Sequence, residues 1–186
     1  MMKRALLLSA VVAVLVVGCS RDVSTPRPEA FHRMEIYDSA YVDVDAAIPL
    51  SVNASATAEV LKNGEWIDVV YPRYGGEMSV SIVFPLEYRS LEESIENRWE
   101  RMRMNIGDFY AELTELTTPA GVEAKILATQ ACCVTPAQFV ASDGKRYVVA
   151  GSFSFNSPID RAKTDSVAPY VAAVVNDMIH LIKALK

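Results

Sequence analysis

Histidine and cysteine, whose side chains often take part in catalysis, are scarce in this 186-residue sequence, which has two histidines and three cysteines. The two histidines are His32, in a proline-containing segment, and His180, one helical turn after Asp177 in a predicted helix. A His–Asp pair at this spacing on a polar helix face is usually solvated, so we interpret it as a surface pair. The sequence has no Gly-x-Ser-x-Gly motif, phosphate-binding glycine loop or metal-spaced Cys/His cluster. We therefore predict that the protein is not an enzyme, with no catalytic residue, metal site or cofactor.

Cys19 is the residue with the clearest predicted chemistry. Lys3 and Arg4 precede an apolar run over residues 5–17, which is too short to span a bilayer because a spanning helix needs about 20 apolar residues. Residues 15–19, Leu-Val-Val-Gly-Cys, resemble the lipobox of bacterial lipoproteins. We predict a signal peptide over residues 1–18 and acyl chains such as palmitate on Cys19, each buried methylene contributing about 0.8 kcal/mol to anchoring. The alternative is an ordinary signal peptide that happens to contain a cysteine.

The chain after the anchor is acidic and is predicted to consist of a tether and one domain. Without Lys3 and Arg4, 16 basic residues face 23 acidic ones, which gives a formal charge of −7 and argues against a nucleic-acid partner. Residues 19–33 are polar and contain prolines, so we predict a lipidated tether. Residues 34–186 are predicted to form one domain that faces the periplasm. The sequence leaves open whether the inner or the outer membrane holds the anchor.

Cys132 and Cys133 are adjacent in a compartment that permits disulfides. Two buried free thiols are the simplest interpretation. A vicinal disulfide, acting as a redox switch, would need a strained ring, because its two Cα atoms are closer than a normal disulfide requires. An intermolecular disulfide is the third possibility.

Two types of regular element are predicted from periodicity. Strand patterns of β-branched and aromatic residues occur at Met34–Tyr37, Ile48–Val52, Ala56–Leu61, Trp66–Tyr71, Met78–Phe84, Val122–Thr129, Gln138–Ala141 and Arg146–Phe155. Asn63-Gly64 and Asp143-Gly144 are typical of hairpin turns. The alternation of strand groups and helices predicts an α+β fold, in which a largely antiparallel sheet packs against two amphipathic helices.

The first predicted helix begins at Ser90, which with Glu93 forms a capping box. Its apolar stripe is Leu91, Ile95, Trp99, Met102 and Ile106. Its opposite face carries mixed charges and is predicted to be solvated: Glu92, Glu96, Arg98, Glu100, Arg101 and Arg103. The second helix is predicted to begin around Asp165, Ser166 and Pro169 and to bury Val171, Val174, Val175, Met178 and Ile182.

Four aromatic residues are candidate binding residues: Trp66, Tyr71, Tyr74 and Tyr88. If they surround one exposed concavity, they favour a small ligand or glycan, whereas a flat apolar patch favours a protein partner. The segment from Tyr71 to Gly76 is the loop in question. Its simplest interpretation is an ordinary connection between strands.

The sequence resembles the gliding-motility lipoprotein family GldD over nearly the whole predicted domain. The residues that carry the resemblance are Thr25-Pro26-Arg27-Pro28, Phe31, Arg33, Tyr41, Pro136-Ala137-Gln138-Phe139, Ser142-Asp143, Gly151, Phe153, Phe155, Asp165-Ser166, Pro169 and Asp177. The sequence departs from the family pattern at Ser142, at Ser154, in the long loop over residues 156–164 and at the cysteine pair. These departures concern the partner surface more than the fold.

The resemblance implies a lipoprotein of the gliding apparatus and of the associated type IX protein secretion machinery, with other proteins of that machinery as partners. It implies no catalytic activity. Two hypotheses remain. The first is a lipid-anchored, non-catalytic accessory or scaffold protein of the cell envelope. The second is an envelope lipoprotein that binds a small ligand or glycan between the sheet and the helices.

Overall fold

Apolar and polar residues alternate along many of the strands, because successive side chains of a strand point to opposite faces of the sheet. The computed structural model describes residues 36–87, 89–130, 134–157 and 164–186. Within these ranges the strands are β1 Tyr41–Val44, β2 Leu50–Asn53, β3 Thr57–Leu61, β4 Trp66–Tyr71, β5 Gly76–Val83, β6 Glu112–Thr117, β7 Glu123–Ala128, β8 Ala137–Ser142 and β9 Val148–Phe155. The helices are α1 Leu91–Ile106 and α2 Thr164–Ala184.

The seven strands β3 to β9 form one antiparallel sheet in the order β3-β4-β5-β9-β8-β7-β6, and β1 and β2 form a separate antiparallel hairpin. Helix α1 packs on one face of the sheet, against β8 and β9. Helix α2 packs on the other face and also contacts β2 of the hairpin. The predicted α+β fold with two helices is confirmed.

Each helix covers its own apolar core. The larger core lies beneath α2, where Val171, Val174, Met178 and Ile182 are almost fully buried and Val175 is half-buried. The smaller core lies beneath α1 and contains Leu91, Met102, Ile106, Leu127, Val140, Val148 and Ala150. Residues 167–184 of α2 are long and apolar enough to cross a bilayer on length and composition alone. Because its apolar face is buried against the sheet, α2 is a core helix of the domain.

Two glycine–phenylalanine contacts fix the packing on the α2 face. Gly151 in β9 is the cross-strand neighbour of Phe139 in β8, and a Cβ atom on Gly151 would lie 2.3 Å from the Phe139 ring. A Cβ atom on Gly76 would likewise lie 2.5 Å from the ring of Phe153. Both rings are fully buried, and each occupies the space that a side chain on the glycine would need.

Local sequence signals give the turns and the first helix correctly. The Asn63-Gly64 hairpin joins β3 to β4, and the Asp143-Gly144 hairpin joins β8 to β9. Asn63 has a φ of 56°, a left-handed conformation that asparagine tolerates. The Ser90 hydroxyl accepts a hydrogen bond from the Glu93 N–H at 3.0 Å, which confirms the predicted cap of α1.

Strand predictions fail at the least buried positions. Strands β1 and β6 were not predicted, because in both the side chains are only half-buried or exposed and the apolar alternation is weak. In the predicted strand Met34–Tyr37, residues 34 and 35 lie outside the described residues, and Ile36 and Tyr37 are not strand. The signal peptide, the tether and the cysteine pair Cys132-Cys133 also lie outside the described residues.

Candidate functional site

Tyr71 and Tyr74, two of the sequence-predicted binding residues, are buried core residues. Their exposed fractions are 0% and 3%, and their rings stack with centroids 5.6 Å apart. Tyr37 packs on Tyr74 at 4.7 Å, and Tyr170 of α2 packs on it at 5.3 Å. The segment from Tyr71 to Gly76 is a tight turn between β4 and β5, in which the Tyr74 N–H donates to the Tyr71 carbonyl at 3.0 Å. This confirms the interpretation of the segment as an ordinary strand connection.

Trp66 lies on the opposite face of the sheet from Tyr71, because successive side chains of β4 alternate between faces. Its indole N–H donates to Asp68 Oδ1 at 2.8 Å, and the Lys62 ammonium lies 4.8 Å from its ring centroid. Tyr88 and Cys19, the predicted lipid-attachment residue, lie outside the described residues. The structure thus brings Tyr71 and Tyr74 together but places Trp66 elsewhere, and a binding role for the four aromatics stays a prediction.

Asp177 differs from the other carboxylates among the described residues in being buried. It lies on α2, is 6% exposed, and faces the β1–β2 hairpin. Its Oδ1 atom accepts hydrogen bonds from the Tyr41 hydroxyl at 3.0 Å and from Asn53 Nδ2 at 3.2 Å. These bonds join the helix to both strands of the hairpin.

Burial dominates the electrostatics of this network. It raises the pKa of the Asp177 carboxyl above its ordinary value, although the hydrogen bonds from Asn53 and Tyr41 oppose that change. Burial and the Asp177 carboxylate together raise the pKa of Tyr41 to about 12. They also raise the pKa of Tyr71, whose hydroxyl lies near Asp177 but has no partner with good hydrogen-bond geometry among the described residues. Both tyrosines therefore stay protonated, and Tyr41 donates its hydroxyl proton to Asp177.

His180 and Asp177 do not form the solvated surface pair predicted from their spacing. His180 is half-buried, its ring stacks on Tyr41 at a centroid distance of 3.4 Å, and its Nε2 lies 3.2 Å from Ser51 Oγ. The prediction was wrong because the β1–β2 hairpin covers this part of α2, which the sequence of the helix alone does not reveal.

Ser51, His180 and Asp177 do not form a catalytic triad. A triad needs the carboxylate to bind the second ring nitrogen of the histidine. Asp177 instead accepts hydrogen bonds from Tyr41 and Asn53, and Ser51 is itself 7% exposed. The network is suited to holding the hairpin on α2.

A polar cleft of about 230 Å³ lies on the other side of the sheet, between α1 and strands β4, β5, β8 and β9. Arg98, Arg101 and Asn105 line it from the helix, and Trp66, Ser79 and Gln138 are among the residues that line it from the sheet. Arg98 is half-buried, and burial together with the charges of Arg101 and Arg89 lowers its pKa. The prediction of a uniformly solvated charged face on α1 is therefore wrong for Arg98.

An exposed apolar patch occupies the far end of α1 and the neighbouring edge strand β6. We define the edge patch as Met104, Phe109 and Leu113, whose exposed fractions are 78%, 44% and 45%. These residues line a shallow groove of about 710 Å³ with Trp99 and Leu127. Among the described residues, no strand pairs with the outer edge of β6.

The described residues contain no group of three or more His, Cys, Asp or Glu side chains that could hold a metal ion.

Comparison with known proteins gives one family. A family model described as gliding motility lipoprotein GldD matches residues 21–186. The solution structure of cyanobacterial PsbP (CyanoP) from Synechocystis sp. PCC 6803 is similar over 76% of this chain and 93% of that chain, at 10% sequence identity and a TM-score of 0.43. A likeness this distant carries no argument about function. No curated protein sequence matches the chain.

Sequence reasoning missed the polar cleft, the edge patch and the buried environment of Asp177. The cleft had a usable signal, since Arg98 and Arg101 lie three residues apart with no acid three or four residues from either. Asp177 had none, because Tyr41 and Asn53 lie 136 and 124 residues away in the chain.

Proposed function

Because the chain belongs to the GldD family of gliding motility lipoproteins, we propose that it is a non-catalytic accessory subunit of the gliding apparatus and of the associated type IX protein secretion machinery. The family is one of membrane-anchored envelope lipoproteins and is not a known enzyme family. In the proposed arrangement, the lipid on Cys19 holds the protein at the membrane. The domain of residues 34–186 faces the periplasm and binds other proteins of the machinery.

The edge patch is the observation that supports binding to a protein. Large apolar side chains exposed together are uncommon on a monomeric soluble domain and often mark interaction sites. Met104, Phe109 and Leu113 lie beside a strand edge whose N–H and C=O groups have no strand partner among the described residues. A partner can therefore add an extended segment to β6 while its apolar side chains enter the groove lined by Trp99.

Leu113→Glu tests this surface. Leu113 is 45% exposed on the edge strand β6, and the matched control Leu61→Glu changes a leucine that is 38% exposed on β3, at the opposite edge of the sheet. Neither change buries a charge, so both variants should fold. In a host with a type IX system, the deletion strain should lose cargo secretion, and Leu61→Glu should restore it.

Leu113→Glu should fail to restore secretion at normal protein level, because a glutamate in the groove would be desolvated by the bound partner. Photocrosslinking from position 113 should then capture a protein of the machinery that position 61 does not capture. Normal secretion in the deletion strain would refute the proposed function. Normal secretion with Leu113→Glu would refute only the edge patch as its binding surface.

A further inference from the structure

The polar cleft beneath α1 contains cations without ion-pair partners. No described carboxylate lies within salt-bridge distance of Arg98 or Arg101, and the nearby Asp68 carboxylate instead accepts hydrogen bonds from Trp66 and Ser79 at 2.8 Å each. Arg89, close enough to Arg98 to affect it electrostatically, has a buried Nε atom with no hydrogen-bond partner among the described residues. Three like charges thus lie together in an otherwise acidic protein.

The helix itself explains why these arginines are unpaired. Arg98 and Arg101 are three residues apart, so their side chains are neighbours on the same face of α1. The positions three and four residues before and after them hold no aspartate or glutamate. Arg103, by contrast, has Glu100 three residues before it and lines the groove of the edge patch on another side of the helix.

Arg101 is exposed, but the half-buried charge of Arg98, repelled by Arg101 and Arg89, destabilises the fold unless something else compensates it. Among the described residues that line the cleft from the sheet, the polar groups are neutral and none is a carboxylate. Asn105 Nδ2 donates to Gln138 Oε1 at 2.8 Å, and Gln138 Nε2 donates to the Met102 carbonyl at 3.2 Å. Each of these two amide groups therefore keeps a second N–H, and these N–H groups and the guanidinium groups can all donate to one anion.

We propose that this cleft is a binding site for an oxyanion, a phosphate or carboxylate group carried by a small hydroxylated ligand such as an acidic sugar. The anion lies between Arg98 and Arg101 and accepts hydrogen bonds from both. The rest of the ligand lies against Trp66 and the serine-containing surface of β5. The volume of about 230 Å³ suits one sugar-sized group. The site is independent of the edge patch, which lies around the other side of α1.

The two tryptophans provide an internal control for a binding test. Trp66 lines the cleft, whereas Trp99 lines the groove of the edge patch and lies near Lys125. We would titrate the full-length protein in detergent with inorganic phosphate, glucuronate and uncharged glucose, and follow the two indole N–H signals by NMR. The Trp66 signal should shift and saturate with at least one of the anions, whereas the Trp99 signal should stay in place. Comparison of phosphate with glucuronate tells which anion the site prefers.

Arg98→Gln and Arg101→Gln should each weaken anion binding at least about tenfold, whereas the matched variant Arg103→Gln should bind like the wild type. Both cleft variants should also melt at the same or a higher temperature, because each removes a repulsion. A lower melting temperature for Arg98→Gln would mean that the arginine is structural and would overturn the proposal. Glucose binding as tightly as glucuronate, equal shifts of both indoles, or no saturation with either anion would also overturn it.

Discussion

Gly151→Ala should destabilise the domain by about 2 kcal/mol through its contact with Phe139. The added Cβ would lie 2.3 Å from Phe139 Cε1, whereas carbon atoms in contact normally lie about 3.5–4 Å apart. The ring must therefore move by more than about 1 Å, and it is 0% exposed, so neighbouring core residues must move with it. Overpacking of this kind costs about 1–3 kcal/mol, and a contact as short as 2.3 Å puts the cost near the upper end of that range. The lower flexibility of alanine in a strand offsets about 0.5–1 kcal/mol of it, which leaves about 2 kcal/mol.

Urea denaturation measures the effect. With a slope near 2 kcal/mol/M, a loss of about 2 kcal/mol lowers the midpoint by about 1 M. The reasoning is tested by repeating Gly151→Ala in a Phe139→Leu background, where the smaller side chain leaves room for the methyl group. There the change should cost less than about 0.5 kcal/mol, a coupling within the range seen for residues in contact.

Gly144→Ala is the control for backbone strain. Gly144 has a φ of 71° and open space around its Cα, so alanine there should cost about 1–2 kcal/mol in either background. Equal costs of Gly151→Ala in the wild-type and Phe139→Leu backgrounds would refute the steric explanation.

Three further predictions concern the anchor, α1 and the buried carboxylate. Cys19→Ser should move the protein from the detergent phase to the aqueous phase in phase partitioning; an unchanged distribution would contradict lipid attachment at Cys19. Trp99→Ala should cost about 2–3 kcal/mol in urea denaturation, below the ~3–5 kcal/mol of a fully buried tryptophan, because Trp99 is only half-buried. Because burial raises the folded-state pKa of Asp177, its contribution to stability is greatest below the unfolded carboxyl pKa and is lost as pH rises through the folded pKa. Asp177→Asn should reduce that fall in a melting-temperature profile across acidic to neutral pH, and a profile identical to the wild type would argue against the raised pKa.

Signals that act over a few residues allowed the fold to be predicted. The Ser90 cap, the two hairpin turns and the helical stripes each depend on neighbours within about one turn, and together they determined the α+β class. Strands β1 and β6 were not predicted, because an exposed edge strand does not need a strict alternation of apolar and polar residues.

The candidate sites depend on contacts between distant parts of the chain. From the sequence of α2 alone, Asp177 and His180 were predicted to be exposed to solvent. They are covered by the β1–β2 hairpin, which lies more than a hundred residues earlier in the chain. Similarly, a tyrosine pattern cannot distinguish a ligand-binding aromatic from a core aromatic such as Tyr71. The charge spacing along α1 does distinguish Arg98 and Arg101 from the other charged residues, because only their face of the helix lacks neighbouring acids.

The attachment of the β1–β2 hairpin determines how the domain responds to mechanical load. A pull on the amino-terminal end of the described chain first reaches Tyr37, whose N–H donates to the Tyr74 hydroxyl at 2.9 Å and whose own hydroxyl accepts from the Arg73 N–H at 3.0 Å. It next reaches the hairpin, which is held to α2 through Asp177 and is not paired with the seven-stranded sheet. The hairpin should therefore detach under tension before any strand of the main sheet separates, and its loss would uncover part of the larger core, because Leu50 and Val52 of β2 are buried there.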